Sequence, residues 1–209
     1  MTNKINRRHF LKSAALFAST TALASTTGVA KTITENKSTS APSIFSQLSK
    51  PAAIPDKKGA RVVIVGAGWS GLTIAKYLKK FNPSFDVVLM DKSEQFVSCP
   101  MSNLWLADQV DLNFLTHSYI DAAKNNDYLF LNATAIELDR TAKIIYSSQG
   151  SIQYDYLVLA PGIDYNYKEI GINNPDDEHF LRMHHPAGFG HASELLSIKN
   201  KIHNFKGGT

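Results

Sequence analysis

Cysteine is nearly absent from this sequence of 209 residues, in which Cys99 is the one example. A single thiol excludes an intrachain disulfide and any zinc site built from a cysteine cluster. The sequence also has no excess of charge beyond its N-terminus. Residues 1–30 contain four basic residues and no acid, which accounts for the whole net charge of +4, so residues 31–209 are neutral overall. A basic face for nucleic acid is therefore not predicted. Charged residues at 19% and apolar residues at 44% are ordinary globular values, which exclude a coiled coil and wholesale disorder.

Residues 1–30 have the pattern of an export signal. Arg7 and Arg8 are followed by Phe-Leu-Lys and by an apolar stretch at residues 14–24 that is too short to span a bilayer. Small residues at positions 28–30 suit a signal peptidase, and the paired arginines resemble the twin-arginine class. We therefore expect export to the bacterial periplasm by the twin-arginine pathway, without stable membrane insertion after cleavage. A retained N-terminal anchor, or a helix start with a chance arginine pair, is the alternative.

Residues 31–60 predict a mobile linker between the cleavage site and the first strand. Serine, threonine, lysine and alanine dominate this stretch, and Pro42, Pro51 and Pro55 interrupt it. No helical or alternating period persists there, which is typical of a linker.

A β-α-β unit is predicted from residue 61 onwards. The run Arg61–Val65 is typical of a strand buried on both faces, and a glycine-rich turn at residues 66–71 follows it directly. Residues 72–80 then read as a helix, and a second apolar run, residues 87–90, closes with Asp91. Two parallel strands joined in this way have a right-handed crossover.

Gly66, Gly68 and Gly71 have the spacing of a dinucleotide-binding turn. Gly66 permits the tight turn, Gly68 lets a pyrophosphate approach the backbone, and Gly71 lets the helix pack closely on the strand. The N-terminus of the helix offers unpaired N–H groups to the phosphates. Asp91 can accept hydrogen bonds from ribose hydroxyls and would repel a 2′-phosphate, which disfavours NADP. The motif alone does not separate FAD from NAD, and a glycine-rich turn in an unrelated α/β protein is the alternative.

The later part of the chain predicts a small antiparallel meander inserted into the parallel sheet. Tyr128–Leu131 reads as a third strand, and three further short runs, residues 133–138, 143–146 and 151–154, are separated by turns. Tyr156–Ala160 is predicted to be a final buried strand, which Pro161 and Gly162 stop. The predicted fold class is therefore α/β, a Rossmann-like parallel sheet with a meander insertion.

Two segments carry a resemblance to known flavoproteins. Ala160-Pro161-Gly162 matches the second flavin motif of the FAD-dependent pyridine nucleotide-disulfide oxidoreductase superfamily. Phe96–Asn103 resembles, more narrowly, the flavin-binding subunit of flavocytochrome c sulfide dehydrogenase, as do residues 75–78 and 83–87. The resemblance runs from about residue 61 to residue 209 and corresponds to the N-terminal part of such a protein.

The resemblance implies that residues 61–165 form an FAD-binding domain and that residues 166–209 connect it to a second dinucleotide-binding domain. It implies FAD joined through the sulfur of Cys99 to the 8-methyl carbon, a c-type cytochrome as partner, and sulfide as a small-molecule reductant. An extended chain from Asp91 to Cys99 reaches roughly 26 Å, enough to run from the ribose to the flavin ring. A small buried residue or a free reactive thiol is the alternative role for Cys99. The candidate cofactor-binding residues are Gly66, Gly68, Trp69, Ser70, Gly71, Asp91, Lys92, Cys99, Ala133, Ala160, Pro161 and Gly162.

Two features depart from that family. Its sulfide chemistry uses a pair of redox cysteines, and the first of these falls where this chain has Leu157, which forms no disulfide or persulfide. The sequence also stops at residue 209, where the family continues into its second domain, so it resembles an N-terminal fragment, a split gene or a truncated reading frame. No metal site is predicted, because Met183–Pro186 and His191 complete no recognisable ligand spacing.

The predicted function is that of a periplasmic FAD-dependent oxidoreductase, which passes electrons from a reduced substrate through FAD to a c-type cytochrome. An NAD(P)H-dependent flavin reductase of the same superfamily and a non-catalytic FAD-binding fragment are the alternatives. No catalytic acid or base can be assigned from the sequence.

Overall fold

The computed structural model describes residues 48–189 and 192–208; the predicted export signal, residues 31–47 of the predicted linker and His191 lie outside the described residues. The strands are β1 Arg61–Val65, β2 Asp86–Asp91, β3 Gln95–Val97, β4 Thr116–Ser118, β5 Leu129–Asn132, β6 Ala135–Asp139, β7 Ile144–Ser147, β8 Gly150–Gln153 and β9 Tyr156–Leu159. The helices are α1 Trp69–Phe81, α2 Ser102–Leu106, α3 Leu112–Leu115, α4 Tyr119–Asn125, α5 Pro175–His184 and α6 Ala192–Asn204, with a 3₁₀ helix at Tyr167–Ile170. Among the described helices, none is both long and apolar enough to cross a membrane.

A four-stranded parallel sheet with the order β5-β2-β1-β9 lies at the centre of the fold. Strands β1 and β2 are continuous apolar runs because both of their faces are covered. Ile64 and Leu89 pack with α1 and α4 on one face, and Val63 and Val88 pack with the meander on the other. The predicted α/β, Rossmann-like fold class is confirmed.

Helix α1 begins three residues before its predicted start and crosses from β1 to β2. Its side chain Ala75 is fully buried against the sheet, which requires a small residue at this close contact. The helix ends at Phe81, and the Lys79 ammonium donates to the carbonyls of Pro83 and Phe85 at 2.8 and 3.1 Å. These bonds fix the turn that leads into β2.

The meander of β6, β7 and β8 is antiparallel, as the sequence predicts, and covers the second face of the sheet. The predicted linker is wrong for its last part, which packs on this meander. Ala52 is only 7% exposed, and its N–H donates to the carbonyl of Ser151 at 2.9 Å. One small apolar residue gives no period in the sequence, so the chain here could not be distinguished from a linker.

Strand β9 differs from the buried strand that the sequence predicts. It pairs with β1 at the edge of the sheet, and the side chains of Tyr156 and Leu159 each remain 60% exposed. An apolar run indicates a strand but does not indicate whether a further strand lies beside it. The part of the chain that the structure describes places no strand on the outer edge of β9.

The segment between β2 and β5 contains elements for which the sequence analysis had no prediction. Strands β3 and β4 form an antiparallel ribbon, and residues 98–115, which contain α2 and α3, lie between them. These elements are too short to show a hydrophobic period. A serine directly before a helix is a typical N-cap and could have indicated the start of α4. In the structure the Ser118 hydroxyl accepts a hydrogen bond from the Asp121 N–H at 3.2 Å.

Candidate dinucleotide site

The glycine-rich turn lies at the carboxyl end of β1 and is packed against the protein's own backbone. Gly66 has a φ of +98°, a conformation that favours glycine, and a Cβ there would meet the backbone of Ala160 and Pro161. A Cβ on Gly71 would meet the Gly66 carbonyl. The fold itself therefore requires both of these glycines.

Gly68 has a different environment from the other two glycines. Its φ of −70° is open to any residue, and apart from its own neighbours along the chain no heavy atom of the described residues lies within 4 Å of the position that its Cβ would take. Its carbonyl accepts the first bond of α1, from the Leu72 N–H at 3.0 Å, so the amides of residues 69–71 have no acceptor within the helix. The open backbone at a helix N-terminus fits the pyrophosphate of a dinucleotide.

Asp91 ends β2 and holds the glycine-rich turn. Its Oδ2 accepts a hydrogen bond from the Ala67 N–H at 2.7 Å, and its Oδ1 accepts one from the Ser93 N–H at 2.8 Å. This structural role was not anticipated from the sequence, where the distance from the glycines suggested only a ribose ligand. Each carboxylate oxygen can accept a further hydrogen bond, so the ribose contact stays a prediction that this geometry permits.

Other predicted residues reach the same edge of the sheet from neighbouring strands. Ala160 follows β9, and its N–H donates to the Val65 carbonyl at 2.8 Å. Ala133 follows β5, is buried, and donates to the Asp91 carbonyl at 2.9 Å. The carboxyl ends of parallel strands meet at one edge, which is where ligands bind in such sheets. The predicted residues that are exposed at this edge are Gly68, Trp69, Ser70, Lys92, Pro161 and Gly162.

Cys99 lies in the loop between β3 and α2, and its thiol is free and exposed. The alternative of a small buried residue is therefore wrong. The strand before this loop contacts the glycine-rich turn, because Phe96 meets Trp69 edge-on with ring centroids 5.1 Å apart and stacks on His117 at 6.3 Å. Phe96 and His117, which lie beside the glycine-rich turn, could not be predicted as site residues from the sequence, since single aromatics in three-residue strands form no pattern.

The buried phenols near the sheet supply no base to the site. Burial raises the pKa of Tyr119, and the Asp91 carboxylate raises it further. Burial also raises the pKa of Tyr128. Both phenols are therefore neutral at physiological pH. Within residues 48–189 and 192–208, no group of three or more histidine, cysteine, aspartate or glutamate side chains is arranged to hold a metal ion.

Comparison with known proteins shows the family. The model of the family described as pyridine nucleotide-disulphide oxidoreductase matches residues 60–192, which is more than half of the chain. This chain belongs to that family. Its members are dinucleotide-binding oxidoreductases, which agrees with the open Gly68 backbone and with the predicted class of protein.

Relatives in the family differ in their electron donors and acceptors. The sulfide dehydrogenase flavoprotein chain of Chlorobaculum thiosulfatiphilum is 51% identical over 43 residues, which are 21% of this chain and 90% of that one. The alternative NAD(P)H-ubiquinone oxidoreductase C1 of Arabidopsis thaliana is 29% identical over 155 residues, 65% of this chain and 30% of that one. The type II NADH:quinone oxidoreductase of Staphylococcus haemolyticus is 28% identical over 122 residues, 57% of this chain and 30% of that one.

Solved structures confirm the fold. The sulfide:quinone oxidoreductase of Aquifex aeolicus has a TM-score of 0.57 at 19% identity, over 69% of this chain and 32% of its own. The NDH2 of Plasmodium falciparum has a TM-score of 0.55 at 19% identity, over 68% of this chain and 28% of its own. This chain thus spans about a third of the length of these proteins.

Proposed function

We propose that this chain is the FAD-binding part of an exported flavoprotein oxidoreductase that passes electrons from a small reduced molecule to a c-type cytochrome. One observation carries the cofactor assignment. Gly68 is open and has a φ that does not require glycine, whereas the backbone packs tightly on Gly66 and Gly71. A pyrophosphate that approaches the backbone explains a glycine that the fold does not need.

The residues at the carboxyl edge of the sheet have separate tasks in this proposal. The amides of residues 69–71 and the N-terminus of α1 bind the pyrophosphate. Asp91 accepts hydrogen bonds from the adenosine ribose and disfavours a 2′-phosphate, and residues 160–162 border the flavin. Bound FAD supplies a two-electron acceptor that can release electrons singly, and the chain supplies its position and surroundings.

We place the covalent attachment of FAD at Cys99. The exposure of the thiol supports this, as does the contact between Phe96, just before the loop, and Trp69 in the glycine-rich turn. The bond would join Sγ to the 8-methyl carbon of the flavin, and one methyl C–H bond and the thiol S–H bond would break. The two electrons released would reduce the flavin, which the proposed cytochrome acceptor would then reoxidise. Attachment would retain the cofactor in the periplasm, to which the Arg7-Arg8 pattern directs the chain by the twin-arginine pathway.

A c-type cytochrome is the proposed electron acceptor, and the short match to a sulfide dehydrogenase flavoprotein chain supports it. Sulfide is the first reductant to test. Its oxidation through a disulfide that includes position 157 is not proposed, because Leu157 has no sulfur. The reductant is instead proposed to react at the flavin itself.

The test uses the full chain, exported and purified from a bacterial periplasm. We expect flavin absorption that stays with the protein after acid precipitation, and Cys99→Ser should release the flavin into the supernatant. Pro100→Ala changes an exposed residue of the same loop and should keep the flavin attached. A colourless chain that also fails to bind added FAD would contradict the proposal and favour the non-catalytic alternative.

The NAD(P)H-dependent alternative is favoured by the four relatives whose names include NADH or NAD(P)H. Anaerobic mixing distinguishes it from the proposed function. Bleaching of the flavin by sulfide, followed by reduction of added cytochrome c, supports the proposal. Bleaching by NADH and not by sulfide supports the flavin reductase.

A further inference from the structure

The loop of Cys99 belongs to the excursion of residues 98–115, whose two ends are joined. The Ser98 N–H donates to the Leu115 carbonyl at 2.8 Å, next to the β3–β4 ribbon. The Ser102 N–H donates to the Cys99 carbonyl at 3.0 Å, so the turn that carries the thiol leads directly into α2. The position of Cys99 therefore depends on what holds α2.

Helix α6, which lies about ninety residues later in the chain, packs against α2. Leu195 of α6 packs with Trp105 and Leu115 of the excursion in one buried cluster. One helical turn later, the Lys199 Nζ donates to the Trp105 carbonyl at 2.6 Å, pairs with the Asp108 Oδ1 at 2.6 Å, and lies 4.4 Å from the centroid of the Trp105 ring. One ammonium group thus makes two contacts with Trp105 near the end of α2 and one with Asp108 just after it.

These contacts suit the chemistry of a helix C-terminus. The Trp105 carbonyl at the end of α2 also accepts a hydrogen bond from the Asp108 N–H at 3.1 Å, and a positive charge is favourable beside such a carbonyl. Asp108 has a φ of +57° where the chain leaves the helix, and its Oδ2 is 2.8 Å from the His203 Nε2, one turn further along α6. Lys199 is the central member of this group, because its side chain is only 19% exposed and it contacts both Trp105 and Asp108.

We propose that Lys199 is a positioning residue that holds α2, and through it the Cys99 loop, in the place where the thiol meets the flavin. The role of the thiol rests on the proposed function, whereas the contacts of Lys199 do not. The proposed role of Lys199 is indirect: it positions the Cys99 loop through its contacts at the end of α2 and not by contact with the thiol or with the glycine-rich turn.

Hydrogen–deuterium exchange of the flavin-free full chain tests the proposal directly. Lys199→Met keeps the apolar stem but removes the donors, so amides of residues 98–107 should exchange about tenfold faster, while those of β1 and β2 stay unchanged. Lys199→Arg retains a cation that donates hydrogen bonds and should restore most of the protection. Lys201→Met removes an exposed lysine of the same helix and should have no effect.

A second readout is the attachment of FAD. Lys199→Met should slow attachment about fivefold while the affinity for FAD before attachment stays unchanged, because the loop and not the glycine-rich turn is loosened. If the wild-type chain takes up no flavin, the proposed function fails and the exchange pattern alone decides the role of Lys199.

Two outcomes would overturn the proposal. The first is unchanged exchange at residues 98–107 in Lys199→Met, which would mean that the cluster around Leu195 holds α2 without the lysine. The second is faster exchange over the whole chain, β1 and β2 included, which would show a general contribution to stability. Asp108→Asn, a milder change of the same group, should loosen residues 98–107 in the same local pattern.

Discussion

At the scale of the residue, the three glycines of the turn separate the needs of the fold from those of a ligand. Gly66 and Gly71 face backbone atoms of the protein, whereas Gly68 faces open space. Their shared spacing made all three predictable from the sequence, because the tight turn and the pyrophosphate proposed to bind to it both act on one short stretch of backbone. Asp91 and Lys199 show the limit of that reasoning, since their hydrogen bonds depend on partners brought close only by the fold.

Gly66→Ala should destabilise the protein strongly. The new Cβ would meet the backbone at Ala160, and the residue would keep a positive φ, so the free energy of unfolding should fall by about 2 to 4 kcal/mol. Urea unfolding followed by circular dichroism measures this loss. Gly171→Ala is the matched control, because Gly171 also has a positive φ but, apart from its chain neighbours, no described heavy atom lies within 4 Å of its Cβ position. An equal loss in both variants would contradict the assigned contact.

At the scale of the element, the central strands and the meander could be predicted from the sequence, but which strand lies at the edge of the parallel sheet could not. A continuous apolar run predicts a strand, but the same pattern occurs in the central strand β2 and in β9, which lies at the edge of the sheet. The short ribbon and helices between β2 and β5 escaped prediction because three to five residues show no hydrophobic period. The segment at residues 50–54 escaped for the same reason.

The packing of that segment gives a prediction that opposes the linker interpretation. Ala52→Asp should lower the free energy of unfolding by about 1 to 3 kcal/mol, because a carboxyl group would enter the core between the meander and the sheet. Ala53→Asp changes the exposed neighbour and should alter it by less than about 0.5 kcal/mol. Urea unfolding of the two variants checks this. Equal stability of both variants would mean that residues 50–54 do not pack on the meander.

Asp155 ties the starts of β1 and β9 together and predicts a dependence on pH. The hydrogen bond with Lys57 and the bond from the Arg61 N–H, at 2.6 Å, lower the pKa of Asp155 from its usual 3.8. Since the pKa in the folded state is the lower one, this stabilisation is present above about pH 4 and is lost as the pH falls through the folded-state value.

Asp155→Asn should therefore flatten the loss of stability below pH 4, as measured by urea midpoints between about pH 2.5 and 6. Asp56→Asn, an exposed acid in the same region, serves as the control and should leave the pH profile unchanged. A wild-type slope that persists in Asp155→Asn would contradict the assignment.

At the scale of the whole molecule, the described residues fold as a Rossmann-like domain with an α-helical C-terminal part. The sequence predicted the fold class and the family because the β-α-β unit and its turn are local and ordered along the chain. It did not predict that α6 would pack on the excursion that carries Cys99, because Leu195 and Trp105 are ninety residues apart in sequence. The proposed attachment of FAD thus depends on contacts between segments that are far apart in sequence.

The central claim is that Gly68 is a glycine for the sake of a bound dinucleotide. Titration of the full chain with FAD, compared between wild type and Gly68→Ala, tests this claim most directly. The variant should unfold within about 1 kcal/mol of wild type, because a φ of −70° suits alanine and only its poorer capping of the helix costs stability. It should bind FAD at least about tenfold more weakly, or about 1.4 kcal/mol. Equal affinities in the two proteins, or no binding by the wild type, would contradict the account.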